Sequence, residues 1–134
     1  MAYATLADLI ARFGETELIE LSDRLGAGQI DPTVIDQALS DAAGVIDGHL
    51  AGRYALPLAP VPSILLGYAC DLARERLWKD AASELIVKRG DDARKFLVMV
   101  AAGKVTLGIQ PDPAAAPGGD AVQMAPVRER TWAR

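Results

Sequence analysis

Apolar positions recur at helical spacing in five runs along this chain, and the residues between the runs are ones that start, stop or forbid helices. In the first run Leu6, Leu9, Ile10 and Phe13 share one face, the three-and-four spacing of an amphipathic helix. Thr5 can cap its free amides, Asp8 sits favourably in its first turn, and Gly14 can take the left-handed backbone that ends it. A second short helix, roughly Glu15 to Ser22, offers Leu18, Ile19 and Leu21 to the same core. The third run is the longest. Asp31 is placed to cap it and Pro32 to occupy its first position, and Ile35, Ala38, Leu39, Ala42, Ile46 and Leu50 form its stripe. Continued to Arg53 it would span about 33 Å, with Asp36, Asp41 and Asp47 outside the stripe.

The third run ends at a corner. Pro57, Pro60 and Pro62 lack amide donors and push their predecessors toward extended angles, so no regular helix passes from Ala55 to Val61. Pro62 is predicted at the first position of a fourth helix whose buried face is Ile64, Leu65, Tyr68, Ala69, Leu72, Arg76 and Leu77. Asp80 is predicted to cap a fifth helix reaching Ala102. Its face is Ala82, Ile86, Arg89, Ala93, Phe96, Leu97 and Val100, unbroken but weakened at Gly90. Gly103 ends it, and Val105, Thr106 and Leu107 read as a very short strand or an extended arm. The expectation is an all-α bundle of four to five helices with a long central helix pair.

From Ile109 onward the pattern is lost. The stretch PDPAAAPGGDAVQMAP has almost nothing to bury, which predicts disorder in the free protein. The chain therefore divides into a helical domain over residues 1–108 and an arm over residues 109–134. Arg128, Arg130 and Arg134 surround Trp132 near the end of the arm. This cluster reads either as a partner-binding segment anchored by the aromatic ring or as a charged terminus that keeps the chain in solution.

Charge changes the picture by its distribution. Net charge is −4, yet residues 1–52 hold nine acids against two bases and residues 53–108 hold nine bases against six acids. These are either ordinary solvated faces or the two ends of a subunit whose acidic side meets the basic side of its neighbour. The paired short helices at the start resemble a helix-turn-helix. A second helix bearing Glu15, Glu17 and Glu20 with no base would be repelled by phosphates, which argues against DNA recognition by this pair. The segment Asp23 to Asp31 has the glycines of a calcium loop, but Leu25 and Ala27 stand where oxygen ligands are needed. It reads as a loop ending in a helix cap.

The catalytic inventory is thin. Cys70 is the only cysteine, which excludes an intrachain disulfide and a cysteine-built zinc site, and it reads as a buried structural thiol. His49 is the only histidine and reads as packed or partly exposed. Asp71 and Glu75 are spaced as a carboxylate pair or as partners for bases. No phosphate loop, nucleophile elbow or histidine-carboxylate metal motif is present. No enzyme and no cofactor are expected. The opening MAYATLADLI lacks the form of a secretion signal, and no apolar run approaches the ~20 residues of a bilayer span. These features predict a soluble protein made in a cytoplasm.

Three stretches resemble the head-tail connector, or adaptor, proteins of Mu-like tailed phages. They are YATLADLIARFG with ELIELSD, then IDPTVIDQALSDAAGVIDGHLAGRYALPL, then PVPSILLGYACDLARERL, with GRYALPL (Gly52 to Leu58) the most specific. The resemblance implies a structural virion protein of the neck region. It would form a dodecameric ring of neighbouring copies beneath the portal protein, extend the DNA channel and dock tail-proximal or stopper proteins. Genomic DNA would pass without sequence-specific binding, and no membrane would be involved. On that reading Glu15, Glu17, Glu20, Asp36 and Asp41 are candidate channel-facing acids, and Arg128, Arg130, Trp132 and Arg134 form the partner-binding arm. The competing reading is a helical binding or regulatory module of a cell or prophage, without catalytic activity.

Overall fold

The computed structural model describes residues 2–109. Among them are five α-helices and no strand: α1 (Leu6–Phe13), α2 (Glu15–Ser22), α3 (Pro32–Leu50), α4 (Ser63–Trp78) and α5 (Glu84–Ala101). The predicted cluster Arg128, Arg130, Trp132 and Arg134 lies outside the described residues.

Side-chain caps start α1, α3 and α5. Thr5 and Asp8 form a reciprocal capping box at α1, the Asp8 amide donating to the Thr5 hydroxyl and the Thr5 amide to the Asp8 carboxylate. Asp31 caps α3 by accepting from the Thr33 amide at 3.0 Å, with Pro32 following. The predicted cap of the last helix is corrected. α4 ends at Trp78, Lys79 to Ala81 make a single 3-10 turn, and Ser83 rather than Asp80 accepts from the Ile86 amide. The cause is the backbone at Ala82, which is extended at φ −63° and ψ 134° and so separates Asp80 from α5.

The corner differs from expectation by a few residues. α3 stops at Leu50, three residues short of Arg53, and the amides of Arg53 and Tyr54 both donate to the Leu50 carbonyl at 2.9 Å. Closing the helix early turns Tyr54 into the core, where it is buried. Pro62 serves as the residue before α4 rather than as its first member, with ψ at 137°. The link contains two cis peptide bonds, Leu56–Pro57 and Ala59–Pro60.

α4 lies at the centre, packed against α3, α5 and α2. It therefore buries more than one stripe: Leu65, Ala69, Cys70, Leu72, Ala73 and Leu77 are all inside. Three predicted face positions fall outside the core, since Ile64, Arg76 and Arg89 are exposed. Leu9, Leu18, Ile35, Ile46, Leu50, Leu65, Leu97 and Val100 are fully buried side chains of one shared core. Burying each stabilises the fold by about 1.5–3 kcal/mol before conformational entropy is counted. Tyr68 and Phe96 bring their rings to 4.7 Å across the α4–α5 seam.

Gly90 lies inside an unbroken α5, and its role is room. A Cβ there would collide with the Glu75 carboxylate, which forks onto Arg94 at 2.9 and 3.2 Å. The fork joins α4 to α5, and a side chain at Gly90 would displace the Glu75 carboxylate from it.

The GRYALPL stretch fastens the far end of the bundle. Arg53 Nε donates to the Ala101 carbonyl at 3.2 Å, the Leu107 amide donates to the Tyr54 hydroxyl at 3.2 Å, and Leu58 is buried. Residues after α5 thus return as an extended arm, with Val105, Leu107 and Ile109 packed on the core. Gly103 makes that return possible. Its φ is 78°, its amide bonds Val100 O, and the Lys104 amide bonds Met99 O, the paired closure of a Schellman motif.

Gly103→Ala should lower stability by about 1–2 kcal/mol, because it forces an L side chain into the left-handed region against the Arg53 guanidinium. Urea unfolding followed by circular dichroism should show a lower midpoint at unchanged slope; an unshifted midpoint would contradict the clamp.

Candidate functional site

The α1–α2 hairpin is held to α4 by one acid. Glu17 accepts from Arg74 Nε at 2.8 Å, from Arg74 NH2 at 2.9 Å and from the Trp78 indole at 3.2 Å. Arg74 in turn lies over the Phe13 ring, 4.2 Å from its centroid. Both ionic side chains are about one-fifth exposed, so the pair is shielded from solvent more than an ordinary surface bridge. The Arg74 hydrogen bonds hold the Glu17 carboxyl below its usual range, against the opposing effect of burial.

This lock divides the five acids that the sequence nominates. Glu15, Glu20 and Asp36 are exposed. Glu17 is spent on Arg74 and Trp78, and Asp41 is half-buried, accepting from Gln37 at 3.1 Å with Arg76 at 3.8 Å. Asp47 also has a partner, the hydroxyl of Tyr3, which ties the start of the chain to α3. Of these nominated acids, the free ones therefore lie on α2 and the first half of α3.

The other sequence candidates are occupied locally. His49 Nδ1 bonds the Val45 carbonyl at 2.8 Å. Cys70 is buried as expected, and burial pushes its thiol up to about 11. Glu75 is taken by Arg94, and burial raises the Asp71 carboxyl against the opposing charge of Arg89. The loop between α2 and α3 ends in the Asp31 cap, as the sequence predicts, and Asp23 accepts the amides of Ala27 at 2.8 Å and Gly28 at 2.6 Å. Those bonds lower the Asp23 carboxyl, the Ala27 amide most. Among the described residues no three His, Cys, Asp or Glu side chains group as a metal site. No described helix is long and apolar enough to cross a membrane.

Between α3 and the second half of α4 lies an open groove of about 690 Å³, with Val34, Leu72 and Leu77 among its apolar lining and Arg24, Arg76 and Lys79 among its cations. Sequence reasoning missed this groove because its walls come from segments some forty residues apart. It also missed the Glu17 lock, whose members are 57 and 61 residues distant and carry no local signature.

Because Glu17 ionises more readily in the fold than in the unfolded chain, its stabilisation is complete above about pH 4.5 and is lost as pH falls through the lowered folded value. Glu17→Gln should cost about 1–2 kcal/mol at pH 7. Urea midpoints of the two proteins should converge in acid. A gap that persists undiminished at pH 3 would contradict the ionic lock.

The chain matches the family model described as Bacteriophage Mu, Gp36, over residues 3–126. It is 40% identical over 121 residues to Gene product J of Escherichia phage Mu, covering 90% of this chain and 86% of that protein. It is also 36% identical over 110 residues to the Mu-like prophage FluMu protein gp36 of Haemophilus influenzae, covering 82% of this chain and 78% of the relative. The match takes in the capping box, the Glu17–Arg74 lock, the groove and the clamped corner together, and the chain belongs to the Bacteriophage Mu Gp36 family.

Proposed function

We propose that this protein is a head-tail connector of a Mu-like phage particle, a ring of identical subunits beneath the portal that extends the DNA channel and receives tail-proximal or stopper proteins. The observation that carries the reading is membership of a Mu phage family across residues 3–126. Two features support the connector role. The body is built to keep its shape, with α1–α2 locked to α4 and the end of α5 clamped to the corner. Its surface carries the exposed acids Glu15, Glu20 and Asp36 and, apart from them, a groove in which cations outnumber acids.

In this role the free acids line the channel. DNA phosphates are repelled by carboxylates, so the duplex slides without the counterion-releasing contacts that lysines or arginines would make. Glu17 and Asp41 support that surface from behind, through Arg74 and Gln37. Arg128, Arg130, Trp132 and Arg134 bind the portal or an adjacent subunit, Trp132 as the aromatic anchor and the arginines as partners for carboxylates.

Quantitative mass spectrometry of purified particles should find this chain at near one copy per portal subunit. Trp132→Ala combined with Arg130→Ala should cut its recovery in particles by about tenfold or more, a loss typical of an anchor pair, at unchanged level in the producing cell. Absence of the wild-type chain from intact tailed particles would overturn the connector reading.

A further inference from the structure

One large apolar side chain stands almost wholly in water. Leu25 is 91% exposed, at the tip of the loop between α2 and α3. The loop is stitched from within. The Asp23 carboxylate takes two of its amides, and Gly26 and Gly28 turn the backbone at φ 72° and 77°. At its base the fully buried Ser22 hydroxyl donates to the Leu18 carbonyl at 2.7 Å and accepts from the Asp31 amide at 3.0 Å. A leucine held ready in this way gains nothing within the subunit, but it loses little conformational freedom on docking.

The groove offers matching chemistry. It is apolar at Val34, Leu72 and Leu77, and its cations Arg24, Arg76, Lys79 and Arg94 outnumber the acids Asp41 and Glu75 on the same walls. Among the described residues Arg24 and Lys79 take part in no ion pair, and Arg76 approaches Asp41 only at 3.8 Å. Lys79 is also the one described non-glycine residue with a positive φ, 53°, a strained backbone of the kind that accompanies binding surfaces. The approach to Leu25 is acidic on balance: the exposed Glu20 near the end of α2 and Asp23, whose carboxylate also holds the loop amides, outnumber the exposed Arg24 beside it. An apolar knob with acids beside it therefore meets an apolar groove with cations at its edge.

Arg24 lines the groove of its own subunit whereas Leu25, the next residue, does not. Knob and groove are thus neighbouring but distinct surfaces, with Arg24 between them. We propose that Leu25 docks in the groove of a second copy of this chain, with the acidic end of α2 facing that copy's Arg76 and Lys79. Each subunit gives its knob to one neighbour and its groove to another, the heterologous contact that closes rings or extends filaments. This contact deepens the connector reading and rests on it for the ring.

Sedimentation velocity of the full-length chain tests it, over concentrations from about 10 μM to about 1 mM, the range in which a weak protein contact is populated. Wild-type protein should self-associate, and Leu25→Ser and Lys79→Glu should each weaken association by about tenfold or more. The two variants mixed should recover dimers but nothing larger, because one intact knob then meets one intact groove. Arg76→Glu serves as a second groove variant, and unfolding midpoints confirm that each variant is folded. A wild-type chain monomeric throughout, a Leu25→Ser variant that associates normally, or a mixture that stays monomeric would overturn the contact. Association through Leu25 by a chain missing from tailed particles would contradict the connector reading alone. Normal particle incorporation of Leu25→Ser at ring stoichiometry would contradict this contact alone.

Discussion

Three prolines between Tyr54 and Ser63 deny the chain a continuous helix, and the rest of the structure follows from how that interruption is used. Without it α3 and α4 would read as one long apolar rod with no partner for its buried face. With it, α4 returns along α3 and becomes the member that nearly every other helix touches. Arg53 and Tyr54, at the lip of the corner, then reach the end of α5 and the arm beyond it. A single irregular segment thus sets the reversal of the chain and ties the end of α5 and the residues after it to the middle of the sequence. The specific look of GRYALPL has a physical origin in that double duty.

Charge is partitioned by the same packing. Residues that form one acidic block in sequence separate in space into those that hold the subunit together and those left to face outward. Glu17 is an internal fastener, shielded by Phe13, Arg74 and Trp78, while Glu15 and Glu20 on the same helix are free. Bases divide likewise: Arg74 and Arg94 are committed to Glu17 and Glu75, whereas Arg24 and Lys79 border the groove without ion pairs among the described residues. On the proposed connector reading, the uncommitted surface charges of opposite sign are what copies of the subunit would set against one another.

Helix existence was legible in the residues because apolar periodicity reports directly on which face is buried. The faces of α1 and α3, the Thr5 and Asp31 caps and the stop at Gly103 all follow from local rules. The misplacements occur where tertiary packing overrides those rules. Asp80 is a good cap by composition, but the extended backbone at Ala82 hands the role to Ser83. Ile64 fits a stripe by spacing, yet α4 is surrounded unevenly and leaves it in water while burying Cys70 and Ala73. Gly90 reads as a weakness until the Glu75 carboxylate is seen against it. The site was less legible than the fold: pairs such as Glu17 with Arg74 and a groove walled by α3 and α4 join residues that no window of sequence connects. Leu25, passed over as a poor calcium ligand, is informative only once its exposure and its fixed loop are known together.

The proposed channel-ring role draws on membership of a family of phage proteins, a body braced by the Glu17–Arg74 lock and the Arg53 and Tyr54 clamp, and exposed acids on α2 and α3. Cryo-electron microscopy of the neck of intact particles addresses that reading at the level of single residues. The structure should appear as a ring of this chain directly beneath the portal, with Glu15, Glu20 and Asp36 turned to the lumen. A neck in which this chain is absent, or in which those three acids face away from the channel, would contradict it.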